Sequence, residues 1–100
     1  MPPIRYVAID TETTGLNPEE DEIIEVAAIA FDLNGVLGEY NTLVRPRRMP
    51  SYQIERLTGI EGASLTEAPL FSSIAAELAD FIGESPVVGQ SGNFDVDFLS

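Results

Sequence analysis

One hundred residues, 44% of them hydrophobic with a mean hydropathy of +0.07, suffice for one small globular domain and are too apolar for a disordered tail. Neither cysteine nor histidine is present, which excludes disulfide stapling, cysteine nucleophiles, Ser-His-Asp chemistry and histidine bases or zinc ligands from these residues. The formal charge is −12, with five arginines and no lysine, the reverse of the basic footprint usual in nucleic-acid binders.

Residues 4–10 are dominated by apolar and β-branched side chains and predict a strand buried on both faces. Directly behind its apolar run stands Asp10-Thr11-Glu12-Thr13-Thr14-Gly15. A strand sends alternate side chains to one face, so Asp10 and Glu12 should emerge side by side at its end. Two carboxylates held together repel each other unless positive charge sits between them, and Mg²⁺ or Mn²⁺ prefers such hard oxygen ligands. Taken alone, the same residues also read as a polar turn closing the strand. The acidic run Glu19-Glu20-Asp21-Glu22 reads as a solvated loop.

Residues 23–32 form a second predicted strand, and Asn34-Gly35 supplies a hairpin signal into a third near residues 36–45. Arg45, Arg47 and Arg48 cluster beyond it, a local exception to the acidic balance. Pro46 and Pro50 break the chain before a short helix around residues 51–57, which stops ahead of Gly59. A longer helix follows, with Thr66 as N-cap and Pro69 in its first turn. Leu70, Phe71, Ile74, Ala75, Leu78, Phe81 and Ile82 give it an apolar core stripe, and Gly83 ends it. Pro86-Val87-Val88-Gly89 predicts a fourth strand, which a helical crossover places parallel to the first. Phe94 to Ser100 reads as the opening of another helix without a stop signal, so the expectation is an N-terminal piece of a longer chain. An antiparallel hairpin followed by alternating helix and strand predicts a mixed α/β sheet flanked by helices.

A second constellation lies behind the fourth strand, where Asp95 stands at a predicted helix start. With the fourth strand beside the first, Asp95 reaches the space above Asp10 and Glu12. Three converging carboxylates suit a two-cation site with the metals about 3.5–4 Å apart, clamping the attacking and leaving oxygens of a phosphoryl transfer. The alternative for Asp95 is a charge favoured by the helix dipole. Asp97 reads as a surface charge.

Asp10-Thr11-Glu12-Thr13-Thr14-Gly15-Leu16 resembles the first motif of the DEDD 3′→5′ exonuclease family, which includes the epsilon subunit of DNA polymerase III. Val87 to Leu99 resembles the second motif, with Phe94-Asp95 and Phe98-Leu99 in register. Ile23-Ile24-Glu25-Val26-Ala27-Ala28 is similar to the family's second strand, and Leu57-Thr58-Gly59-Ile60, Leu65 and Ala68-Pro69 to its connecting segment. The resemblance implies a ribonuclease H-like fold, with residues 1–100 as the N-terminal portion of the exonuclease domain. It also implies Asp10, Glu12 and Asp95 as catalytic metal ligands for a pair of Mg²⁺ or Mn²⁺ ions. Thr13 would meet the terminal nucleotide, Leu16 would pack beside its base, and Thr58 and Phe94 would lie at the substrate. Gly15 fits a tight turn that lets substrate approach.

Three departures qualify the match. Gln90-Ser91 replaces the family's His-Asn before the Phe-Asp pair, and Thr58 stands where a histidine often precedes Gly-Ile. The third motif, which supplies the fourth carboxylate and the general base, is absent from these residues. The fragment alone is therefore expected to be inactive. The leading expectation is a metal-dependent 3′→5′ exonuclease domain releasing nucleoside monophosphates from the 3′ end of single-stranded DNA, RNA being the other candidate polymer. Its partner would be a DNA polymerase or a fused helicase. The alternative is a catalytically inactive module for nucleic-acid binding or protein docking, favoured by the acidic charge and by Gln90-Ser91. With no secretory signal and no membrane-length apolar run, a cytoplasmic location without membrane association is expected.

Overall fold

The structure is a computed structural model that describes residues 4–15, 17, 19 and 21–89. Four strands, β1 (Tyr6–Thr13), β2 (Ile23–Asp32), β3 (Gly35–Leu43) and β4 (Val87–Gly89), make one sheet of order β3-β2-β1-β4. β2 is antiparallel to both β1 and β3, whereas β4 runs parallel to β1, as the helical crossover requires. Three helices, α1 (Tyr52–Thr58), α2 (Gly62–Thr66) and α3 (Phe71–Ile82), occupy the connection between β3 and β4. The predicted mixed α/β architecture is thus the observed one.

Register decides which side chains share a face. Val7 pairs with Ala30 and Ile9 with Ala28, so these residues and Val26 line one face of the sheet. Ile74 and Leu78 of α3 close over that face, with Tyr40, Phe71, Phe81 and Ile82 at the rim of the cluster. The helix is held at its far end by Arg5, whose guanidinium donates to the carbonyls of Phe81 (2.8 Å) and Ile82 (3.2 Å) and to Ser85 Oγ (2.7 Å). A second cluster, Ile24, Ile60 and Leu65, gathers Leu43 and Ile54 against it. Leu43 lies opposite Glu25 and therefore belongs to the other face of the sheet. The short helices α1 and α2 thus cover one end of that face.

Several boundaries depart from the sequence reading. β1 does not end at Asp10 but continues through Thr13, because β2 offers ladder partners as far as Glu25 and Ile23. Nor is β1 buried on both faces: Val7 and Ile9 are inaccessible, Tyr6 and Ala8 are half-buried, and Asp10 is exposed. β3 stops at Leu43, not near 45, since the Arg45 N–H leaves the sheet to donate to Pro69 O (2.8 Å). Gly35 carries φ 134° at the hairpin, a region that disfavours any other residue.

α1 is capped as its sequence suggests. The Ile54 N–H donates to Ser51 Oγ (3.3 Å), and Gly59 closes the other end in the left-handed region with φ 74°. Thr66 is not the N-cap of the long helix. It ends the five-residue α2, its hydroxyl donating to Gly62 O (3.0 Å), and α3 starts at Phe71 behind Leu70, which gives no side-chain cap. Pro69 explains the gap: it disfavours helical geometry at Ala68 and has no N–H to offer.

Candidate active site

Asp10 and Glu12 sit two apart on β1, on the face opposite the Val7–Ile9 core, as their spacing predicts. They do not project from a strand end. Both are embedded in the ladder, Asp10 opposite Ala27 and Glu12 opposite Glu25. Glu25 is therefore a third carboxylate on this face, a neighbour that only the register reveals. Beside Asp10 runs a groove of about 380 Å³ lined by Ala8, Ile9, Asp10, Ala27, Ile29 and Val88. Ile29 and Val88 are 36% and 49% exposed, so this part of the sheet is open among the described residues. The small side chains of Ala8 and Ala27 leave the space above the Asp10 carboxylate.

Thr13, the last residue of β1, donates its hydroxyl to Gly15 O (2.5 Å) and closes the turn that leaves the strand. Past it, Asp21 and Glu22 of the acidic run prove to be built into the fold. Asp21 accepts from Thr14 Oγ1 and from the Asn17 N–H, both at 3.1 Å. The Glu22 carboxylate accepts from the Arg47 N–H (3.1 Å to each oxygen) and from Arg47 Nε (3.3 Å). Because the Arg47 side chain is 85% exposed, the ion pair itself contributes little, about 1 kcal/mol at most; the captured backbone N–H fixes the strand-to-helix connection. A solvated loop is thus the wrong description of Asp21 and Glu22. The signal missed was local: Thr14 and Asp21 flank one loop and can close it by a side-chain hydrogen bond.

Gly15 lies in this turn for a steric reason as well. Its φ is not positive, and a Cβ placed there would lie 2.6 Å from Asp21 Cγ. The glycine makes room for the Asp21 carboxylate. Thr58 lies at the end of α1, half-buried, its hydroxyl donating to Ile54 O (2.9 Å) and accepting from the Ile60 N–H (3.2 Å). Of the arginine cluster, Arg45 lines a crevice of about 310 Å³ with Ile23, Val44 and Phe71. Arg48 lines another of about 300 Å³ with Thr14 and Ser51. Leu16, Phe94 and Asp95 fall outside the described residues.

Asp10 and Glu12 offer only hard oxygens, a set that fits Mg²⁺ or Mn²⁺ and not a softer metal. Among the described residues no three such side chains come close enough to hold an ion, so Asp10 and Glu12 form at most part of a site.

A mixed sheet of this order with flanking helices is the architecture of ribonuclease H-like exonucleases. The chain belongs to the RNase T exonuclease family, whose sequence profile matches residues 7–100. It is 37% identical over 97 residues to the DNA polymerase III subunit epsilon of Treponema pallidum, covering 97% of this chain and 45% of that one. It is 36% identical over 94 residues to the PolC-type DNA polymerase III of Thermotoga maritima, covering 94% of this chain and 7% of that one. The chain therefore spans less than half the length of these relatives. Among solved structures it superposes on exonuclease X in complex with 5′ overhanging duplex DNA, with TM-score 0.80, 26% identity and coverage of 95% and 54%. It shares its fold with E. coli exonuclease I in complex with a dT13 oligonucleotide, at TM-score 0.82, 21% identity and coverage of 96% and 22%. No helix among the described residues is long and apolar enough to cross a membrane.

Proposed function

We propose that this chain carries the first carboxylates of a metal-dependent 3′→5′ exonuclease that releases nucleoside monophosphates from DNA. The observation that carries the reading is the placement of Asp10 and Glu12 side by side on the open face of the central strand. Next to them β4 runs parallel to β1, its last residue Gly89 pairing with Ile9, the residue before Asp10. Membership of an exonuclease family, with DNA polymerase III subunits among the relatives, supports DNA as the polymer and a polymerase as the partner.

Asp10 and Glu12, with Asp95, would hold Mg²⁺ or Mn²⁺, whose contribution is to stabilise charge on the attacking and leaving oxygens of the phosphodiester. The chain's own tasks are positional. β1 fixes the two carboxylates at strand spacing, and the dry Val7–Ile9 face anchors that strand from below. Thr13 would meet the terminal nucleotide and Leu16 would pack beside its base, with Thr58 and Phe94 as further substrate contacts. Ala8 and Ala27 keep the approach to Asp10 clear.

The test uses the full-length protein and a single-stranded oligonucleotide labelled at its 3′ or 5′ end. The 3′ label should be released as mononucleotide in Mn²⁺ and not in chelator. Asp10→Ala should reduce release at least about a thousandfold, equivalent to about 4 kcal/mol of transition-state stabilisation. Undiminished release by Asp10→Ala would remove Asp10 from the site. A folded wild-type protein without any metal-dependent release would leave a docking or binding module instead.

A further inference from the structure

We propose that Asp21 is a positioning residue for this exonuclease reaction: its carboxylate sets the shape of the turn that presents Thr13 to the substrate beside Glu12. The proposal rests on the exonuclease reading above.

Both carboxylate oxygens of Asp21 are engaged, each with a different part of the turn. Oδ1 accepts from Thr14 Oγ1 (3.1 Å) and Oδ2 from the Asn17 N–H (3.1 Å). The Asp21 N–H donates in turn to Asn17 O (2.7 Å). The Thr14 hydroxyl is used twice, since it also accepts from the Glu22 N–H (2.9 Å). A backbone bond from the Thr14 N–H to Glu22 O (2.9 Å) completes the closure. The end of β1 and the start of β2 are thus buckled through the Thr14 and Asp21 side chains and one backbone bond. A carboxylate suits the position because it is acceptor-only and serves two donors at once.

Gly15 gives this buckle a steric signature. The Asp21 carboxyl group occupies the volume a side chain at position 15 would fill, with 2.6 Å from the Cβ position to Asp21 Cγ. Residues 15 and 21 are therefore complementary in size. The geometry passes to the site through one more bond, from Thr13 Oγ1 to Gly15 O (2.5 Å). Thr13 is adjacent to Glu12, so a shift of the turn is a shift of the residue proposed to meet the terminal nucleotide. Displacing a positioning group by about 1 Å is enough to cost on the order of a hundredfold in rate.

The experiment compares full-length wild type with Asp21→Ala, Thr14→Val, Gly15→Ala and the Gly15→Ala/Asp21→Ala double variant. Each is assayed for Mn²⁺-dependent release from a 3′-labelled strand, well below its melting temperature. Asp21→Ala should lower kcat/KM roughly 10–100-fold, while the concentration of Mn²⁺ that half-activates the enzyme stays within about twofold of wild type. Thr14→Val, which keeps the side-chain volume, should reproduce that loss and serves where Asp21→Ala fails to fold. The double variant should fall no further than the worse single variant, because both act on one contact. Leu78→Ala is the control for destabilisation alone, lowering the melting temperature without changing kcat/KM. An Asp21→Ala or Thr14→Val enzyme within twofold of wild type overturns the proposal and leaves the exonuclease reading standing. Additive losses in the double variant, or a parallel weakening of Mn²⁺ activation, also overturn it. An inactive wild type overturns the reading and this proposal together.

Discussion

Replacing Glu25 by glutamine should stabilise the fold, and should do so only while the carboxylates of its sheet face lack a cation. Glu12 and Glu25 are direct partners in the β1–β2 ladder, both half-buried. Directly opposite residues hold their Cβ atoms about 4.5–5.5 Å apart, and like charges so placed are destabilising. Coulomb's law at about 5 Å gives roughly 0.8 kcal/mol in water and about 3 kcal/mol at an effective dielectric constant of 20. Flexible glutamates splay apart, and cross-strand pairs contribute about 0.2–1 kcal/mol, so we take about 0.5–1 kcal/mol as the repulsion. Glutamine keeps the size and removes the charge. For a domain of this size that gain raises the melting temperature by about 2–8 °C. Thermal unfolding at low ionic strength measures it directly. In about 1 M NaCl, where the Debye length is about 3 Å, the difference should nearly vanish. Millimolar Mn²⁺ should shrink it too, because on the proposed function a cation held by Asp10 and Glu12 would offset the same repulsion. A Glu25→Gln protein that melts below wild type, or a difference indifferent to salt and Mn²⁺, would refute the electrostatic argument.

Two further outcomes test the framework around the site. Leu78→Ala removes a side chain that is 4% exposed between α3 and the sheet, and should cost about 2–5 kcal/mol in denaturant unfolding; under about 1 kcal/mol would mean that α3 is not packed as described. Tyr40, beside Phe81 at a ring separation of 5.9 Å, has its hydroxyl pKa raised above 10.0 by burial and, secondarily, by the Glu77 carboxylate. Its contribution is intact below pH 10.0 and is lost as pH rises through the folded-state value, since the unfolded chain ionises first. Melting curves above about pH 10 should therefore fall more steeply for wild type than for Tyr40→Phe, and parallel curves would exclude the effect.

What was legible in the sequence followed from periodicity and turn chemistry. β2 spans Ile23–Asp32 as its apolar run predicts, and the Asn34-Gly35 hairpin fixes β3 beside it. The shared face of Asp10 and Glu12 needs only the two-residue repeat of a strand. What stayed hidden depends on pairing. β1 extends through polar residues because β2 is there to bond them, which no reading of residues 10–13 alone can show. The Glu12–Glu25 pair follows from a register that also contains an irregularity between Glu12 and Thr13. α2 has five residues, too few to show helical periodicity, so from sequence Thr66 reads as the N-cap of the next helix. Asp21 reads as solvated although its partners Thr14 and Asn17 stand in the same loop, whereas Arg47 comes to Glu22 only after the chain has passed through β2 and β3.

The two faces of β1 carry different physical duties, and this separation is what lets so small a sheet support a charged site. On one face Val7 and Ile9 meet Ala28, Ala30, Ile74 and Leu78, a dry contact that fixes the strand against movement. On the other, alanines at 8 and 27 flank Asp10 with almost no bulk, and Ile29 and Val88 add apolar walls without polar competition. Apolar walls weaken local screening, which raises the cost of adjacent carboxylates and strengthens their pull on a cation by the same factor. On the proposed function the overall charge of −12 would be no obstacle to a phosphate polymer at this point, because the attraction would come from metal ions held by the carboxylates and not from the protein's net field. Damage to the dry face should therefore appear as lost stability with intact chemistry, and loss of a carboxylate from the open face as lost chemistry with stability kept or raised. Leu78→Ala and Asp10→Ala, on opposite sides of one strand, are the pair in which that separation is measured.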